Sequence, residues 1–148
     1  MAKALPLALK RRGHDVRIVM PYYASITGRE KSQHLGGFTL PTRPGHTDIP
    51  YQVRQMDLDD VPVMLIDFPN YFDRKSLYAE NNNAYPDNGE RFAFFSAACL
   101  QVSEQIGFKP DIVHCNDWHT ALVPMLLKTR YANNSFFQST RSVLTIHN

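Results

Sequence analysis

Two cysteines in 148 residues, Cys99 and Cys115, are too few for a disulfide scaffold. Both sit inside apolar segments and read as reduced core thiols. Charge of either sign is also scarce in excess. Sixteen Lys and Arg against fourteen Asp and Glu leave a formal +2, and the basic residues are scattered. A nucleic-acid or membrane-surface partner needs a concentrated basic face, so neither is expected. No apolar run reaches the ~20 residues of a membrane-spanning helix. Residues 1–6 lack the apolar stretch of a signal peptide. The single glycine pair, Gly36-Gly37, has no phosphate-loop context and reads as a turn. Asn133-Asn134-Ser135 matches a glycosylation sequon, but without a secretion signal it is read as chance. There is no repeat and no low-complexity tract. What these absences leave is a soluble, cytosolic chain long enough for one domain with a sizeable core.

What is present reads as alternating helices and strands. Residues 2–12 form an Ala/Leu-rich helix with Lys10, Arg11 and Arg12 at its negative end and Gly13 as C-cap. A strand over residues 15–20 stops at Pro21. Residues 22–36 read as loop, and residues 37–42, 50–57 and 61–67 as strands. The last of these is continuously apolar, which marks a buried central strand, with Asp59-Asp60 as the turn before it. Residues 71–86 read as a long polar and aromatic loop. Asp87 and Glu90 fit an N-cap with a capping-box partner. The helix they open repeats Phe92, Phe95, Cys99, Val102 and Ile106 on one face and ends near Gly107. A strand over residues 111–115, a helical pattern over residues 121–131 and a strand over residues 142–146 complete the chain. The initial helix has no strand before it, which is unusual for an α/β fold.

The last two strands flank one helix, as in half of a doubly wound sheet. If they are parallel, their carboxyl ends share one sheet edge, where α/β proteins bind ligands. That edge would carry Asn116, Asp117, Trp118 and His119 from one strand and His147 and Asn148 from the other. Three chemistries fit these residues. One is metal binding by a set drawn from His114, Cys115, Asp117, His119 and His147. Strand alternation puts His114 and Cys115 on opposite faces, which works against a shared ion. A second is nucleophilic catalysis by Cys115 with a histidine, opposed by the inertness of cysteines buried in strands. The third is binding of a polyhydroxylated ligand, with Trp118, Tyr78 and Tyr85 supplying rings to stack on sugar faces. A purely structural account also fits: Asp117 caps the turn, Trp118 packs on it, and the histidines are satisfied surface groups.

Six segments in order give the chain a resemblance. They are Ala4-Leu5-Pro6; Arg12-Gly13-His14-Asp15-Val16 with Met20-Pro21-Tyr22-Tyr23; Leu65-Ile66-Asp67 with Phe72-Asp73-Arg74; Tyr85-Pro86-Asp87-Asn88-Gly89-Glu90-Arg91-Phe92; Asp117-Trp118-His119; and Thr145-Ile146-His147-Asn148. Across essentially its whole length the chain resembles the N-terminal domain of bacterial glycogen synthases and plant starch synthases. These are retaining glucosyltransferases of the two-domain GT-B fold.

The resemblance implies an incomplete Rossmann-like α/β domain with a mixed or mainly parallel sheet. It implies transfer of glucose from ADP-glucose to the nonreducing end of an α-1,4-glucan, with no metal and no cofactor beyond the donor. On that basis His147 and Asp117 are the expected catalytic residues. His147 holds the glucosyl unit, and its backbone carbonyl stabilises an oxocarbenium-like transition state. Asp117 positions the donor sugar. Asn148, Trp118, His119 and Tyr78 are the expected substrate-binding residues. The family's first strand and Lys-x-Gly-Gly loop have no counterpart here, since no Gly-Gly follows Lys3. The end of its N-terminal domain and its whole C-terminal domain are likewise unmatched. The expectation is therefore an internal piece, inactive alone, acting in a bacterial cytoplasm or a plastid. Two rivals stay open: a noncatalytic glucan-binding or assembly piece that works with a second chain, and a metal-dependent enzyme using His119 and His147.

Overall fold

The computed structural model describes residues 4–147. The chain divides into two compact units, one ending at Leu77 and the other beginning at Tyr78.

The first unit opens with helix α1, Ala4–Arg11. Gly13 ends it with φ 89°. Its N–H donates to the Lys10 carbonyl at 2.9 Å, and the His14 N–H reaches back to the Leu9 carbonyl at 3.3 Å. That pair of bonds is the Schellman closure expected of a glycine in this place. Four strands follow: β1 (Ile18–Pro21), β2 (Gln33–Leu40), β3 (Ile49–Leu58) and β4 (Val61–Asp67). They form one mixed sheet in the order β1-β4-β3-β2, with β1 parallel to β4 and the other two pairings antiparallel. Strand β4 is interior, and its residues Val63, Met64, Leu65 and Ile66 are all buried. The continuous apolar run of this strand follows from that position, since both faces are covered. A short helix, α2 (Pro69–Phe72), comes next, with Tyr71 and Phe72 buried.

Gly36-Gly37 is not a turn. Both glycines lie inside β2, which begins at Gln33 instead of residue 37, and the register against β3 shifts between His34 and Gly36. A Cβ on Gly37 would come within 3.0 Å of the Gln52 side chain. The glycines therefore serve a bulge and a close approach within a strand. Asp59-Asp60 does turn the chain. Leu58 pairs with Val61, leaving a two-residue hairpin loop whose residues have φ 49° and 65°. Two positive φ values are the mark of a type I′ turn, for which glycine is preferred in the second position. Lys10 Nζ donates to the Asp60 carbonyl, a backbone bond that survives substitution. Asp60→Gly is expected to stabilise the unit by roughly 0.5 kcal/mol. A fall in the urea midpoint on this change would contradict the turn geometry.

The second unit begins with a small hairpin, β5 (Ala79–Glu80) and β6 (Asn83–Ala84), inside what the sequence suggests is structureless loop. Asn81 and Asn82, at φ 52° and 62°, make its two-residue turn. Asparagine tolerates this conformation better than most residues, which explains the two at the turn; Asn83 belongs to β6. Helix α3, Asn88–Gln105, follows Asp87 as expected. Asp87 does not act as the anticipated capping side chain, however. Its backbone at φ −94°, ψ 12° departs from the extended geometry of a capping residue, and its side chain makes no capping bond.

Strands β7 (Ile112–Asn116) and β8 (Arg141–Thr145) pair in parallel from Ile112↔Arg141 to Asn116↔Thr145. Between them lie a 3-10 turn, Trp118–Thr120, and helix α4, Val123–Lys128. This helix is shorter than the pattern over residues 121–131 suggests. Pro124 sits in its first turn, Thr129 leaves the helical region at φ −118°, ψ −83°, and the Tyr131 N–H folds back to the Leu126 carbonyl at 3.0 Å. The core here is Leu100, Cys115, Val123, Tyr131 and Phe137.

Candidate functional site

The site forms where β7 and β8 end. One residue past β7, the Asp117 N–H donates to the Thr145 carbonyl at 2.7 Å, so the turn is pinned to the last residue of the neighbouring strand. Asp117 adopts φ 63°, ψ −174°, a region otherwise almost reserved to glycine. Its carbonyl accepts from the Thr120 N–H at 3.2 Å, and its Oδ1 accepts from the Trp118 N–H at 2.8 Å. The Thr120 hydroxyl donates to the Asn116 carbonyl at 3.1 Å. Asp117 therefore caps the turn, as the structural account has it, with one carboxylate oxygen.

The reversal places Trp118 and His119 against two rings from other elements. The His119 imidazole lies 4.0 Å from the Trp118 ring, 4.4 Å from the Tyr78 ring and 4.8 Å from the Phe92 ring. Trp118 meets Phe92 edge-on at 4.9 Å. Trp118 nonetheless remains 47 % exposed and Tyr78 37 % exposed, while Phe92 is buried. This is a half-open aromatic wall. His119 Nε2 is buried within it and makes no hydrogen bond among the described residues. Burial holds the His119 imidazole below the ordinary histidine range, with Asp117 opposing and Arg91 reinforcing the shift. Burial likewise raises the Tyr78 phenol, helped by Asp117 and opposed by Arg91.

His147, just beyond β8, reaches back to the end of β7. With Nε2 protonated it donates to Asn116 Oδ1 at 3.4 Å. Asn116 stands on the edge that the sequence marks out, though not among the expected site residues. The strand register brings it to His147, because Asn116 pairs with Thr145 two residues before His147. The structure thus brings Tyr78, Trp118 and His119 together around Phe92 and ties His147 to Asn116. Asn148 and Lys3 lie outside the described residues.

The cysteine chemistry open at the sequence level loses its basis. Cys115 is buried, and its thiol is pushed up to about 11, so it is no thiolate at neutral pH. Burial also raises the Cys99 thiol. His114 faces away from Cys115 and bonds the Thr145 hydroxyl at 2.7 Å. Among the described residues no three His, Cys, Asp or Glu side chains converge as metal ligands would. What the site offers is an exposed indole and phenol, an imidazole nitrogen lacking a partner, and a carboxylate. Such a surface binds ligands that are apolar on a face and polar at the edge.

An α/β chain of mixed and parallel strand pairs, with this constellation at the carboxyl ends of a parallel pair, has the fold of the N-terminal domain of a GT-B glycosyltransferase. It is similar to the catalytic domain of starch synthase IV from Arabidopsis thaliana bound to ADP and acarbose. The TM-score is 0.82 at 31 % identity, over 99 % of this chain and 29 % of that one. The profile of the starch synthase catalytic domain matches residues 1–148, and the chain belongs to that family. The glycogen synthase of Aeromonas hydrophila is 62 % identical over 148 residues, and that of Vibrio cholerae (strain O395) 57 %. In both cases the match covers all of this chain and 30 % of the relative. The chain therefore spans about 30 % of the length of these relatives.

Proposed function

We propose that this chain contributes the sugar-facing part of a retaining glucosyltransferase that moves glucose from ADP-glucose to the nonreducing end of an α-1,4-glucan. The observation that carries the reading is the aromatic wall at the ends of β7 and β8. An exposed indole lies beside a buried imidazole nitrogen without a partner among the described residues. A buried polar atom left unsatisfied invites a ligand group, and a sugar hydroxyl supplies one. Trp118 and Tyr78 offer the faces for stacking, and His119 the hydrogen bond. His147 lies beside the donor glucosyl unit. The His147 imidazole binds a hydroxyl, and its backbone carbonyl faces positive charge developing at the anomeric carbon. Asp117 keeps Oδ2 for positioning the donor sugar. Membership of the starch synthase family and the ADP- and acarbose-bound relative support the same assignment. The proposed compartment is the bacterial cytoplasm, by analogy with the bacterial relatives. No helix among the described residues is long and apolar enough to cross a membrane.

Trp118 is the sole tryptophan, so its emission reports this site alone. Titrating the 148-residue chain with maltoheptaose is expected to give a weak but saturable change in Trp118 emission. Radiolabelled ADP-glucose is expected to show no transfer unless a polypeptide supplying the rest of the relatives' length, in the same or a second chain, is present. Emission that ignores maltoheptaose would overturn the sugar reading, and ordinary turnover by the 148 residues would overturn the need for a second part.

A further inference from the structure

Behind the aromatic wall lies a buried charge that the site chemistry has not used. Arg91, in the first turn of α3, is 0 % exposed. A guanidinium out of water is costly unless its donors are engaged. Here one of them donates to Asn88 Oδ1 at 2.6 Å, and the guanidinium carbon lies 5.1 Å from the Tyr85 ring centre and 5.2 Å from that of Phe92. Arg91 and Asn88 are three apart on the helix and so share a face. Asn88 carries the connection onward. Its Nδ2 donates to the Tyr78 carbonyl at 2.9 Å, and the Tyr85 N–H donates to the same oxygen at 3.0 Å. Because Oδ1 is taken by a guanidinium, which only donates, the amide presents its NH2 group to Tyr78 and not the reverse. Tyr78 then lays its ring 4.4 Å from His119 and 5.8 Å from Trp118.

We propose that Arg91 is the positioning residue of this site: acting through Asn88, it holds Tyr78 against His119 and Trp118, so that the wall is set before a sugar arrives. In its ligand-binding part the proposal rests on the sugar reading above. In its geometric part it does not. A charge-assisted bond of 2.6 Å at the buried end of the relay makes Asn88 a rigid spacer. The electrostatics agree, since of the charged groups acting on His119 Asp117 favours the imidazolium and Arg91 disfavours it, while the titratable Tyr78 phenol faces the ring at 4.4 Å.

Trp118 reads both parts. A protonated imidazole quenches a neighbouring indole, so the acid quench of Trp118 emission titrates His119 at 4.0 Å. In the unaltered chain its midpoint is expected below that of an ordinary histidine. Asn88→Ala cuts the relay outside the core. It is expected to raise that midpoint, flatten the near-ultraviolet circular dichroism of the wall, and weaken maltoheptaose binding roughly fivefold, as loss of one net hydrogen bond would. Far-ultraviolet circular dichroism should not change. Arg91→Lys, which keeps a donor and the charge, is expected to fall between the unaltered chain and Arg91→Met. If the Arg91 variants do not fold, Asn88→Ala decides the matter alone. A folded Asn88→Ala with unaltered midpoint, near-ultraviolet spectrum and affinity overturns the positioning role and leaves the sugar reading standing. A shifted midpoint in a chain whose Trp118 ignores maltoheptaose supports the relay and removes the sugar reading.

Discussion

Truncating Phe92 to alanine is expected to cost the second unit about 3–5 kcal/mol, the usual loss for a buried phenylalanine. The ring is 3 % exposed and stands edge-on to both Trp118 and His119, at 4.9 and 4.8 Å. Its removal loses apolar burial, leaves a cavity under the wall, and breaks ring pairs that each add about 0.5–1.5 kcal/mol beyond burial. These terms overlap and do not sum. Against a typical domain stability of about 5–15 kcal/mol the loss is large. Urea unfolding followed by far-ultraviolet circular dichroism gives its size, and Trp118 emission shows whether the wall goes first. Phe92→Leu, which refills most of the volume without the ring, should lose less than half as much. A cost below about 1 kcal/mol for the alanine variant would mean that α3 does not support the wall through this residue.

That α3 exists at all was readable from Phe92, Phe95, Cys99 and Val102 recurring at steps of three and four. Strand β4 was readable for a complementary reason, since a strand covered on both faces has no polar positions to interrupt it. Strands β7 and β8 were readable as two short apolar runs flanking a helical pattern, while their parallel pairing comes from the register between them. The pattern failed where local sequence is ambiguous. Glycine marks both turns and bulges, and only the cross-strand partner of Gly37, Gln52, decides between them. The hairpin at Asn81-Asn82 has two-residue strands, too short to show alternation.

The site divides in the same way. Asp117, Trp118 and His119 announce themselves by chemistry packed into three consecutive positions. Tyr78 was named as a candidate ring, but the bond that its backbone carbonyl accepts from Asn88, ten residues later, is one that no spacing rule encodes. Arg91 was visible only as a letter in a motif. Arginines are ordinarily exposed, and its full burial is a tertiary fact. Asn116 was placed on the edge by the sequence, but its tie to His147 became visible only with the register that sets it against Thr145.

Asp117 is the position where fold and proposed function compete, and two substitutions should separate them. Its φ of 63° and ψ of −174° are expensive for any residue with a Cβ, by about 1–3 kcal/mol. The conformation persists because the N–H to Thr145, the carbonyl to Thr120 and Oδ1 to the Trp118 N–H all hold it. Asp117→Gly removes the strain and loses only the side-chain bond, so its stability should match or exceed that of the unaltered chain. Asp117→Ala loses the same bond and keeps the strain, so it should be less stable than the glycine variant by about 1–3 kcal/mol. Both lack the proposed donor-positioning carboxylate. If it binds a sugar hydroxyl through a charged hydrogen bond, each should lose roughly tenfold or more in affinity for the sugar ligand. Asp117→Asn keeps an acceptor for Trp118 and discards only the charge, so it should hold its stability while losing affinity. Equal stability of the glycine and alanine variants would remove the strain from the account. Unaltered sugar binding by the stable glycine variant would remove the carboxylate from the site. Should both expectations hold, a residue that glycine would replace to advantage keeps its place because the turn must carry a carboxylate to the end of β7.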